Sequence, residues 1–202
     1  MPYPDFYTQV PAIALYDPLS AFLGAFEEGK LSISYLECAK LAGHSCPTVA
    51  GAYLMAQQGI KHLYPNTLAQ RGSIKVEMRD AKTDGVTGVI ANVIAFIVGA
   101  SDTGGFKGIQ GNFSRANLIY FSVPMQGEVT LTRLDTKQSV TLSYDPSSIV
   151  PHAMMQALMG KTLQGTASQE EAQTFGQLWQ ARVKKILLST DIHDKIIHIA
   201  KD

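Results

Sequence analysis

Gly127-Glu128-Val129-Thr130-Leu131-Thr132-Arg133-Leu134, then Asp135-Thr136-Lys137, then Ser139-Val140-Thr141-Leu142-Ser143-Tyr144, reads as two strands joined in a hairpin through the central turn. Residues 116–123 supply a further strand immediately before them, so three strands follow one another with no helix between. Upstream, Ile74, Val76 and Met78 alternate with Lys75, Glu77 and Arg79, the two-residue period of a half-solvated sheet. Runs of neighbouring strands, instead of strict helix–strand alternation, point to an α+β fold with a mixed or antiparallel sheet, one face covered by helices. A doubly wound fold is disfavoured.

Around this sheet the chain divides into three regions. Residues 1–30, punctuated by Pro2, Pro4, Pro11 and Pro18, read as an N-terminal arm leading to a short helix near 18–28 that Asp17 or Ser20 caps. Residues 31–150 read as the α+β core domain. Its first helix runs from Ser32 until Gly43 breaks it, and a second runs from Pro47 towards Gln58, where Gly59 ends it. Asp84-Gly85 turns the chain into a helix over 86–98 that is apolar nearly all round and therefore central. Five glycines between 99 and 111 then require a loop. Residues 151–202 read as a helical extension packed on the core. It holds a methionine-rich helix over 152–159 stopped by Gly160, a capping box at Ser168 and Glu171 opening a long amphipathic helix, and a short terminal strand at Ile196, Ile197 and Ile199.

Composition narrows the function classes. Seventeen basic residues balance seventeen acidic ones, so no global field favours nucleic acid or an anionic membrane surface. The longest apolar run, over 86–100, is shorter than the roughly 20 residues of a membrane span and contains Asn92. The N-terminus lacks the basic and apolar regions of a secretory signal, and two cysteines fit a reducing cytoplasm, where thiols bind metal or do redox chemistry.

Chemistry concentrates at Gly43-His44-Ser45-Cys46-Pro47. Pro47 suits the first turn of a helix, which places Cys46 at the N-cap, where unpaired amides and the helix dipole favour a thiolate. Cys38, His44 and Cys46 together form a Cys-x5-His-x-Cys set that offers two sulfurs and an imidazole to one ion. Zn²⁺ matches those donors, with a fourth position open. The competing reading packs Cys38 as a small hydrophobe and Cys46 as a buried cap. The loop at 99–108 lacks both the ending of a P-loop and the preceding strand of a dinucleotide fingerprint, so it serves either as a structural turn or as a wall, through Ser101, Asp102 and Lys107, of a nearby pocket. Met154, Met155 and Met159 read as core or interface.

The Gly-His-x-Cys-Pro motif, with Gly51 four residues on, resembles the signature of the E-subunit family of formylmethanofuran dehydrogenase. The order of the strand at 74–78, the apolar helix, the Gly-rich turn and the segment from Gly165 to Val183 agrees with it. The resemblance implies a core related to the C-terminal, substrate domain of glyceraldehyde-phosphate dehydrogenases, a homodimer, and a metal near the His-x-Cys motif. It also implies an accessory role, catalysis being attributed to other, molybdenum- or tungsten-containing subunits. Family members often carry a further histidine where this chain has Ala42, and a cysteine in the Gly-rich turn where it has Ala100 and Ser101. Cys38, Asp102 or His152 would then complete the metal shell. The alternative is a metal- or thiolate-dependent enzyme acting on a small molecule beside the Gly-rich loop.

Overall fold

The computed structural model describes residues 3–200 and shows an α+β fold with two sheets. The larger has five strands in the order β5 (Ile119–Tyr120), β4 (Ile74–Met78), β6 (Val129–Arg133), β7 (Ser139–Tyr144) and β8 (Ile197–Ile199). The pairs β4–β6, β6–β7 and β7–β8 are antiparallel and β4–β5 is parallel, so the sheet is mixed. The hairpin registers Val129 opposite Leu142 and Leu131 opposite Val140. Together with Ile74, Val76 and Met78 these side chains make one apolar face, all of them buried. On the opposite face Thr130 and Thr141 share a hydroxyl hydrogen bond of 2.7 Å.

Helices cover the apolar face. Helix α3 (Pro47–Leu63) lies against β7, and α4 (Thr87–Val98) lies against β4 and α3. Gly59 does not end α3, as its sequence context suggested. The helix runs on to Leu63, because Gly59 is a contact and not a stop: a Cβ there would lie 2.6 Å from Leu131 Cδ1. Gly51 does the same on the preceding stretch of the helix, with the ring of Tyr144 in the space a side chain would need. Helix α4 ends, as read, at Gly99 in the left-handed conformation with φ 69°.

The N-terminal segment is woven into the core instead of lying on it as an extended arm. After a 3₁₀ turn (Asp5–Gln9), β1 (Ile13–Tyr16) pairs antiparallel with β2 (Lys30–Ile33) and parallel with β3 (Ala69–Gln70), forming the smaller sheet. Helix α1 (Pro18–Leu23) is capped by Asp17, whose carboxylate accepts from the amides of Leu19 and Ser20. Because residues 30–33 are a strand, α2 (Tyr35–Ala42) starts later than expected, with its own capping box from Ser34 and Glu37. At the other end, α5 (Met155–Leu163) passes through Gly160, and the capping box at Ser168 opens α6 (Gln169–Leu188) as read. A short α7 (His193–Ile196) leads into β8. No helix among the described residues is long and apolar enough to cross a membrane.

Asp17 also bridges Arg71, at 3.1 Å, and Arg115, at 2.6 Å, tying α1 to the segment after β3 and to the end of the Gly-rich loop. Its side chain is only 4% exposed, so removing the carboxylate would strand two shielded cations. Asp17→Ala should therefore cost about 3–5 kcal/mol in chemical denaturation. A loss under about 1 kcal/mol, the size of a capping contribution alone, would contradict this role.

Candidate metal and ligand site

Gly43 closes α2 in the left-handed region with φ 74°, and the chain turns at once into α3. Cys46 takes the N-cap of α3 with extended backbone, and its Sγ accepts from the amide of Val49 at 3.5 Å, a normal length for sulfur. Pro47 occupies the first helical position, as its fixed φ and missing N–H favour. Between Gly43 and Cys46 the two polar residues behave differently. Ser45 is held from three sides: its Oγ shares a 2.8 Å hydrogen bond with Tyr35 Oη, and its carbonyl accepts from Trp179 Nε1 at 3.0 Å and Gln180 Nε2 at 3.2 Å. His44 is exposed, with Nδ1 2.9 Å from the carbonyl of Ala42. A carbonyl only accepts, so Nδ1 carries the hydrogen and, in the neutral ring, the lone pair sits on Nε2.

Cys46 is itself buried, at 9% exposure, and Cys38 lies deeper still. It is fully buried on α2, in the core that also holds Tyr35 and Tyr53, whose rings meet edge-on. Burial, with a smaller push from the charge of Glu37, raises its thiol to about 12. A protonated, enclosed thiol is a poor ligand. Among the described residues no three His, Cys, Asp or Glu side chains are grouped closely enough to hold an ion. Thus His44 and Cys46 share one loop, while Cys38, Asp102 and His152 do not join them. Asp102 is spent locally, accepting from the Gly104 amide at 3.0 Å and from Lys82 at 3.2 Å, and these partners hold its carboxyl below the usual range. His152 is exposed and its Nδ1 accepts from the amide of Met154.

The chain matches the family model described as FmdE, Molybdenum formylmethanofuran dehydrogenase operon, over residues 41–193. It belongs to that family. The match begins just before the His44–Cys46 loop and reaches the end of α6 and beyond, so it takes in both the loop and the helix that clamps it. No curated protein matches the chain.

This FmdE-family chain also has a cavity of about 460 Å³ near the loop. It lies between the end of α2, the solvent side of α4 and the start of the Gly-rich loop, with Leu41, Ala42, Asn92, Phe96 and Ser101 among its walls. Lys82 and Asp102 stand at it as an ion pair, and Lys82 also sits 5.8 Å from the centre of the Phe121 ring. Ala42, Ala100 and Ser101 all line this space. They are the positions where the family resemblance led to the expectation of a histidine and a cysteine. The cavity therefore presents an amide, a hydroxyl and a charged pair over an apolar floor, and neither Cys46 nor Cys38 is among its lining residues.

Sequence reasoning missed the clamp on Ser45, since Trp179 and Gln180 lie more than 130 residues away and Trp179 reads as one member of an apolar stripe. Asn92 has a local signal, an amide on an otherwise apolar stretch, that the reading of this helix as central leaves unused; the side chain is exposed.

The shift at Cys38 has a sign. The unfolded chain gives up this proton near the ordinary value of 9.0, while the folded chain holds it to about 12, so the associated stability is complete below pH 9 and is lost as pH rises towards 12. Above pH 9 this group should contribute a decline of up to about 1.4 kcal/mol per pH unit, to which Tyr35, Tyr53 and Tyr144, also pushed up by burial, add as pH approaches 10. Cys38→Ala should flatten that decline; an unchanged slope would show that Cys38 does not titrate between the two states.

Proposed function

We propose that this FmdE-family chain is a cytoplasmic accessory protein of the formylmethanofuran dehydrogenase E-subunit type that handles a metal ion, Zn²⁺ by donor chemistry, through His44 and Cys46. One observation carries the reading: the His44 imidazole is exposed yet oriented by the Ala42 carbonyl. Metal-binding histidines are typically fixed in this way, with one ring nitrogen donating to a carbonyl and the other turned to the ion. Cys46 adds a sulfur at a helix N-terminus. Cys38 is left out of the ligand set because its thiol is enclosed and protonated. A bound ion would supply Lewis acidity. The chain's own contribution is to hold the imidazole and sulfur on a loop stiffened by Tyr35, Trp179 and Gln180.

Two donors do not fill a zinc shell, and the homodimer implied by the resemblance belongs to the same proposal. Helix α5 packs chiefly on α6, and beside it Met159, Leu163, Phe175 and Trp179 wall an apolar recess of about 320 Å³. Leu163 is 81% exposed, a side chain that a second copy of the chain would cover.

The second reading, a metal- or thiolate-dependent enzyme acting on a small molecule, draws on the cavity at Asn92 and Ser101 beside the Gly-rich loop, although His44, Cys46 and Cys38 do not line it.

Elemental analysis of protein purified without added metal should give near-stoichiometric zinc in the parent and in Cys38→Ala, and loss in His44→Ala and Cys46→Ala. Equal metal in all four would remove the metal assignment. In sedimentation, Leu163→Glu should convert a dimer to a monomer; a parent that is already monomeric would remove the dimer while leaving the metal result standing.

A further inference from the structure

A second charged cluster lies on other elements and is independent of the metal reading. Asp17, Arg71 and Arg115 bring two guanidinium groups to a single carboxylate, and their side chains are 4%, 19% and 11% exposed. The group thus holds one formal positive charge in excess where solvent screening is weak. Partners on the protein absorb it unevenly. Arg71 is the better satisfied, with Nη1 on Asp17, Nε and Nη2 donating to the carbonyls of Ile97 and Phe96 at the end of α4, and one N–H on each Nη left over. Arg115 is less so: beyond Asp17 it makes one long contact of 3.5 Å to Gly99, and its Nε has no partner among the described residues.

The position of Arg115 is fixed by the backbone around it. A Cβ at Gly72 would lie 2.4 Å from its Nη1, and one at Gly99 would lie 2.3 Å away. Both glycines also have positive φ, so the two backbones form a slot that only this guanidinium fills.

Both arginines wall a cavity of about 370 Å³, together with Ser73, Asn112 and Ser114. Asp17 is absent from that lining, as is every other carboxylate. The open space therefore meets two cations and four neutral hydrogen-bonding side chains, Gln70 being the fourth, while the shared anion sits behind them. Guanidinium forks with flanking hydroxyls and amides match the oxygens of a phosphate or carboxylate.

We propose that this cavity is an oxyanion site, binding the phosphate or carboxylate group of a small molecule against Arg71 and Arg115, with Ser73, Asn112 and Ser114 as neutral donors. The arrangement also gives the burial of two arginines on one aspartate a purpose beyond stability: the anion supplies the missing negative charge.

Titration calorimetry on the full chain, with inorganic phosphate, succinate and chloride at matched ionic strength, tests this. Saturable binding of phosphate or succinate at one site per chain, absent with chloride, is expected, and which of the two binds assigns the phosphate or the carboxylate class. Ser73→Ala/Ser114→Ala leaves the Asp17 cluster intact and should weaken binding at least about tenfold, the size of one lost hydrogen bond to a charged group. Arg115→Lys, which keeps the charge and loses the fork, should weaken it further, with thermal melts without ligand confirming that each variant is folded. Heats no larger than those of chloride, or binding equal in the parent and both folded variants, would overturn the assignment.

Discussion

The close approach of α3 to the five-stranded sheet governs this molecule. At Gly51 and Gly59 the helix has no side chains, and the ring of Tyr144 and the methyl groups of Leu131 and Leu142 occupy that space. Backbone proximity on this scale leaves little freedom in angle or register. It also explains why α3 is buried on so many sides: Val49, Ala50, Ala52, Tyr53, Met55 and Ala56 are each essentially inaccessible. The small residues that look like weak helix packing in isolation are what allow α4, β7 and α6 all to reach one helix.

The loop of the candidate metal site inherits that rigidity. Cys46 caps the helix that the sheet immobilises, and Ser45, next to it, is fixed to α2 through Tyr35 and to α6 through Trp179 and Gln180. Tyr53, two turns along α3, places its one hydroxyl hydrogen between the carbonyls of Pro11, at 2.8 Å, and Ile33, at 3.1 Å, and so joins the same helix to the smaller sheet. His44 stands exposed at the head of this anchored stretch. A rigid loop with one presented imidazole suits recognition by geometry more than by induced fit.

How much of this was legible in the sequence depends on the range of the interaction that decides each feature. Local signals carried through: the alternation at Ile74, Val76 and Met78, the hairpin at Asp135, the Asp17 cap, the capping box at Ser168 and the helix stop at Gly99 all depend on residues a few positions apart. Gly59 did not, because a glycine that ends a helix and one that admits a neighbour's leucine have the same local sequence. Only the facing strand tells them apart. β1 was hidden for a related reason, since one of its partners, β3, is two residues long and lies more than fifty positions away. At the candidate site, spacing placed His44 and Cys46 on one loop. It could not separate Cys38 from them, because how deeply each thiol is enclosed is set by tertiary packing. The Asp17–Arg115 pair spans 98 positions and has no local signature at all.

The hydrogen bond from the Trp179 indole to the Ser45 carbonyl has a practical side. Trp179 is the single tryptophan of the chain, and its ring nitrogen donates directly into the loop that carries His44 and Cys46. An intrinsic fluorophore is thus wired to the motif: ultraviolet emission from this one indole reports the state of that loop without any attached dye. Its emission maximum and quenching would register an event at the loop even where the rest of the fold stays still.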